Sequence, residues 1–334
     1  MNSYERTMAR LRGERADSLP VHPLFMIYAA DLVGARYDTY LRDSAVLVQG
    51  QMAVLEQFGV DLVSCCSDAW REAADCGARL VWHDHAPPSC EAPLLREPAD
   101  LARLRMPDPF GGGRMTDRLE ALRSFAGQVK GQCVILGWVE GPIALAANLM
   151  GLEAFLTVCV EDPEFACALM DWAVELAARF AAAQVAAGAD MIGIGDAAAS
   201  LVSPSWYARE IAPRERRLVA GIHAAGAKAR LHICGGVRGK YAAMESTAAD
   251  MIDIDYPQPL AEARAAMRPQ TVLAGNLNPA TVLLAGTPDD VARGFEQCHR
   301  EAGDAYAVAP GCEVPPATPE ANIRAMVAYA RSVA

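Results

Sequence analysis

Apolar positions along the chain gather into eight short β-rich runs, most of them followed by a segment of helical period. The runs are VHPLFMIY (21–28), VDLVSCC (60–66), CVILGWVE (133–140), DMIGIG (190–195), ARLHIC (229–234), DMIDID (250–255), TVLAGN (271–276) and DAYAVAP (304–310). Near-continuous apolar strands alternating with amphipathic helices predict a parallel sheet covered by helices. Eight such units predict an α/β fold of the (β/α)8 TIM-barrel type, with residues 1–334 as a single domain behind an N-terminal helical extension. An open doubly wound sheet is the alternative, but no strand is followed by a G-x-G-x-x-G turn.

Helix boundaries can be read from Pro and Gly. Ser203-Pro204 opens a helix that Gly226 closes, Thr287-Pro288 and Thr318-Pro319-Glu320 open two more, and a long one ends at Gly188. The interval 67–132 is too long for one helix and contains the Pro-rich HDHAPPSCEAP. It predicts an excursion between strands 2 and 3 that flanks the barrel mouth.

Composition narrows the function. With 52% hydrophobic residues in 334, the chain can bury a large core. A net charge of −11 without a Lys/Arg run argues against nucleic acid. The N-terminal twenty residues lack the apolar core of an export signal, and no stretch of 18 uncharged apolar residues suggests a membrane span. Ten cysteines in such a chain read as reduced thiols, so a cytoplasmic protein is expected.

Strand ends carry the chemistry. In a strand, residues two apart share a face, so His232 and Cys234 can offer an imidazole and a thiolate to one ion. Cys312 adds a third soft donor 78 positions later. Two Cys and one His suit zinc and leave one tetrahedral position open. In a barrel the C-terminal strand ends form one rim. Here that rim carries Asp68, Glu140, Asp196, His232, Cys234, Asp255, Asn276 and Cys312. Asp255, closing the next strand, is the first choice for a weak fourth ligand or an acceptor behind the ligands. Glu140 could approach metal or substrate, and Asp196 reads equally as a substrate-positioning acid or a loop cap. His83-Asp84-His85 with Cys90 is a second ligand-like group, expected to lie on a solvated surface. Of Cys65 and Cys66, one should face the barrel and one the helices.

The segments LHICGG (231–236), GNLNP (275–279) and APGCEVPPATPEANI (309–323), in this order, resemble the uroporphyrinogen decarboxylase superfamily. Within it the likeness is to the methylcobamide:coenzyme M methyltransferases, from about residue 5 to the C-terminus and most specifically from 187 onward. The resemblance implies a TIM barrel with zinc on His232, Cys234 and Cys312. It also implies transfer of methyl between a methylcorrinoid, supplied on a separate protein, and a zinc-activated thiol such as coenzyme M. Asp68, Glu140 and Asp196 are the expected catalytic acids, Asn276 a cofactor-binding residue, and Asp255 a metal-site residue. Expected partners are a corrinoid protein and a small methyl donor or acceptor, with a homodimer as a possible assembly. The chain departs from the decarboxylase branch. The N-terminal Arg-rich pattern that grips substrate carboxylates is missing, Asn148 stands where that branch has a Tyr, and Cys312 stands in place of a loop His. Only Asp68 resembles that branch's key acid, and a rim of mostly acidic and neutral residues offers few cations to a tetrapyrrole with eight carboxylates, which argues against decarboxylation. The reverse reaction, taking methyl from an ether, halide or amine to a corrinoid, stays open, as does a metal that only supports the fold.

Overall fold

The structure, a computed structural model, describes residues 1–333. Seven parallel strands follow one another around a curled sheet: β1 (Leu62–Ser64), β4 (Val134–Glu140), β5 (Met191–Gly195), β6 (Lys228–His232), β7 (Met251–Ile254), β8 (Val272–Gly275) and β9 (Tyr306–Ala307). Two further strands, β2 (Leu80–Val81) and β3 (Ser89–Cys90), make a small antiparallel hairpin inside the excursion. Every barrel strand is fully buried apart from the first residue of β6, as expected where helices cover the outside and side chains fill the inside.

The first apolar run is the main departure from the expected eight strands. Of 21–28 only Val21 makes a β-bridge, to Val308, and Ile27–Leu32 is helical. Pro20 and Pro23 flank the bridge, and neither has an N–H to extend a ladder. The short contact still links both sheet edges. His22 N–H donates to Val308 O at 2.8 Å, Val308 N–H to Pro20 O at 2.8 Å, and Asp61 N–H to Val21 O at 3.0 Å. The sheet therefore curls through Val21 back onto β1.

Helix punctuation follows local chemistry. Thr287 caps Pro288–Ala302 in a capping box with Asp290. Ser203 caps the helix from Pro204, which widens to π geometry over Tyr207–Ile211 and continues as Ala212–Ala224. Gly226, at φ +97°, then leaves the helix in the left-handed region. The 67–132 interval contains the helix Arg71–Asp75, the β2–β3 hairpin, a 3₁₀ turn at Pro98–Arg103 and the helix Arg114–Val129. Among the described residues no single helix is long and apolar enough to cross a membrane.

Two glycines of β5 shape the interior next to the site. A Cβ on Gly193 would lie 2.2 Å from the Trp138 ring, and one on Gly195 2.9 Å from it. The indole of β4 thus occupies the space where β5 has no side chains.

Candidate active site

Period two on β6 and the turn after it bring His232 and Cys234 to the same rim, and the loop after β9 brings Cys312 to them. His232 Nε2 lies 2.9 Å from Cys234 Sγ, which lies 3.6 Å from Cys312 Sγ. All three donor atoms fall within 4.8 Å of one another, the one such group among the described residues. The other ring nitrogen, His232 Nδ1, is 2.7 Å from Asp253 Oδ2. Asp253 is in turn held by Arg230 Nε at 2.9 and 3.0 Å. A carboxylate on the far side of a ligating imidazole fixes its tautomer and turns the other nitrogen outward.

Charges in the cluster are strongly coupled. Burial opposes the imidazolium of His232, yet Asp253 and Cys312 overcome it and push the ring up to about 10. The Cys234 thiol, against the opposition of burial and with help from His232, brings Cys312 down to about 4. Cys234 is correspondingly pushed up by Cys312 and by burial. A bound cation would displace the protons held by His232 and Cys234.

Beside the three donors opens a cavity of about 250 Å³. Its walls include Leu24, Met26, Trp70 and Trp138, with Asp68, Glu140 and Glu313 as acids. Asp68 is closed off by Arg114, whose Nη1 and Nη2 donate to its two oxygens at 2.9 and 2.7 Å. Burial resists its charge, but Arg114 and Arg71 hold it below the usual carboxylate range. Glu140 has a weaker partner, Arg71 Nη2 at 3.4 Å. Burial and the neighbouring Glu72 push it well above the ordinary value. Glu313 accepts from Ile27 N–H at 3.0 Å, and burial raises it to about 7.

The remaining rim residues do other things. Asp196 faces outward: Oδ1 accepts from Ala144 N–H at 2.7 Å at the start of helix Pro142–Met150. Its Oδ2 and Glu215 Oε1 are both buried without an ordinary donor. Burial and Glu215 push Asp196 up, and burial raises Glu215 to about 7. Asp255 lies outside the three-donor group and secures the loop that carries Cys234. It accepts from Gly235 N–H at 2.6 Å and Tyr256 N–H at 2.7 Å. Asn276 donates to Gln258 O at 2.6 Å, tying β8 to the loop after β7, and does not line the cavity. Asn148 donates to Ala69 O at 2.6 Å, supporting the loop of Asp68 from behind.

The paired cysteines divide as their alternation requires. Cys66 lines the cavity, and Cys65 turns to Gln184 Oε1 at 3.5 Å on the covering helix. His83 Nε2 meets Ser89 Oγ at 3.2 Å within the hairpin, away from the cluster. Asp253, Glu313 and Trp138 escape a reading of the sequence. Asp253 shares the face of Asp255, and only the register, which pairs His232 with Asp253, selects it.

Known proteins resemble the chain over almost its whole length. A methylcobamide:CoM methyltransferase MtaA of Methanosarcina barkeri is 27% identical over 332 residues, covering 97% of this chain and 96% of that protein. A methylated-thiol–coenzyme M methyltransferase of Methanosarcina mazei is 26% identical across 98% of this chain and 88% of its own length. In three dimensions, a methyltransferase from Methanosarcina mazei superposes with a TM-score of 0.91 at 24% identity, covering 99% of this chain and 98% of that one. The uroporphyrinogen decarboxylase (URO-D) family profile matches residues 2–333, and the chain belongs to that family.

Proposed function

We propose that the chain transfers a methyl group from a methylcorrinoid, carried on a separate protein, to a thiol bound at zinc held by His232, Cys234 and Cys312. The observation that carries this reading is the His-Cys-Cys cluster at the edge of a mostly apolar cavity, in a chain that aligns throughout with a methylcobamide:CoM methyltransferase.

The donors fit the ion. Two sulfurs on a tetrahedral zinc lie ~3.8 Å apart and a nitrogen ~3.6 Å from each sulfur. The Cys234–Cys312 separation is 3.6 Å, and His232 Nε2, now 2.9 Å from Cys234, has only to draw back by about 0.7 Å on this geometry. When bound, zinc supplies the charge that turns a thiol into its thiolate at neutral pH and leaves a fourth position for it.

The chain's own residues do the rest. Asp253 fixes the His232 ring, so ligand geometry aims the sulfur. Leu24, Met26 and Trp138 exclude water from the attacking sulfur. Arg114 neutralises Asp68 and keeps that wall in place. A sulfur–carbon bond forms as the cobalt–carbon bond breaks, and the electron pair remains on cobalt.

The test is loss of the methyl–cobalt absorbance of methylcobalamin on adding thiol to the zinc-loaded chain. The expected result is demethylation that needs both zinc and thiol. An unchanged spectrum with coenzyme M, 2-mercaptoethanol and 2-aminoethanethiol alike would overturn it.

A further inference from the structure

We infer that the thiol taken by this cavity carries an ammonium group at its other end, received by Glu140, Glu313 and the Trp70 and Trp138 rings. This deepens the methyl-transfer reading and rests on it.

The cavity offers no cation to an anionic tail. Among the described residues His232 is the only basic side chain in its lining, and it belongs to the donor cluster. The nearby arginines are already occupied. Arg114 is spent on both oxygens of Asp68. Arg71 is fully buried behind the wall and shared among Asp68, Glu72 and Glu140 at 3.4–4.0 Å. A sulfonate or carboxylate entering here would lose its hydration and meet carboxyl groups in return.

An ammonium group meets the opposite situation, because its own charge favours the ionised form of a buried carboxyl. Glu140 is 4% exposed, lines the cavity, and has only the 3.4 Å contact with Arg71 as an ion pair. Glu313 has no ion pair among the described residues, and one of its oxygens is left free by Ile27 N–H. Both carboxyls line the same cavity as Cys66. Trp70 and Trp138 line the same space, and indole faces attract ammonium groups. At about 250 Å³ the cavity lies just below the ~300–1,000 Å³ of drug-sized sites, which suits a short aminothiol.

The test compares three thiols with the same two-carbon spacer: 2-aminoethanethiol, 2-mercaptoethanol and 2-mercaptoethanesulfonate (coenzyme M). Binding to the zinc-loaded chain is measured by calorimetry, alongside methylcobalamin demethylation and metal content. The aminothiol should bind about tenfold more tightly than the sulfonate, as for one close charge contact. In E140Q and in E313Q, with zinc retained, that ratio should shrink severalfold. The ratio within one variant cancels any loss of folded protein, and the thiols' own acidities are the same for every variant. A sulfonate that binds as well as or better than the aminothiol would overturn the substrate class and leave methyl transfer standing. So would a preference for the aminothiol that neither variant alters. Failure of all three thiols to bind or react would overturn both.

Discussion

His232 Nδ1 and Asp253 Oδ2 stand 2.7 Å apart across two paired strands, and Arg230 holds the same carboxylate from its other side. The imidazole therefore cannot turn its outer nitrogen away from the two sulfurs without breaking a buried ion pair. Asp253→Asn keeps the size but loses the charge, and the amide can present its NH2 to the ring. Zinc affinity, measured by competition with a chromophoric chelator, should fall ~10- to 100-fold. Retained affinity would remove the orienting role.

Cys234→Ala and Cys312→Ala should each lose most of the bound zinc after dialysis, by elemental analysis, because two donors cannot hold the ion as three do. Full zinc in both variants would discard the assigned ligands.

Removing the metal should leave the barrel folded. The cluster sits at the rim, and the core of β4–β9 is buried without it. Far-UV circular dichroism after chelation should be unchanged while methyl transfer is lost. Unfolding of the apo chain would instead favour a metal that only supports the fold.

The buried carboxyls of Asp196 and Glu215 make stability depend on pH. Glu215 rises from 4.5 to about 7 in the folded chain. Its native state binds more protons than the unfolded chain between those values, so the contribution of Glu215 to stability falls as pH rises from about 4.5 through 7 and then levels. Glu215→Gln still accepts from the Tyr207 hydroxyl, now 2.5 Å from the carboxylate, and donates to Asp196. Its Tm should decline less than that of the wild type over this range, in a series of thermal melts. Parallel declines would place the proton elsewhere.

Gly193→Ala would set a methyl 2.2 Å from the Trp138 ring, so the indole would have to shift toward the cavity that it lines. Overpacking of this kind costs about 1–3 kcal/mol. Denaturant melts should show it, whereas Gly236→Ala, where nothing lies within 4 Å, should be near neutral.

Parts of this architecture are legible in the sequence because they depend on local rules. β4 to β9 follow from apolar runs, Thr287-Pro288 from capping, and the His232–Cys234 pair from strand alternation. What depends on register or on distant packing is not legible. Asp253 and Asp255 look alike along the strand, and only the pairing of β6 with β7 puts Asp253 behind the ligand. Asp196 stands at a strand end like a site residue, but the parity of β5 sends it outward to Ala144 N–H. The run at 21–28 is apolar enough for a strand, yet its prolines leave a single bridge.

Seating the Trp138 indole on two glycines has an optical consequence. Its ring centroid is 5.9 Å from that of His232, and the side chain is 5% exposed. A near-rigid indole this close to the three donors works as a built-in fluorophore. Occupation by paramagnetic cobalt(II) in place of zinc should quench its emission, and arrival of a thiol should shift it. The chain thus reports on its own metal and ligand without any attached label.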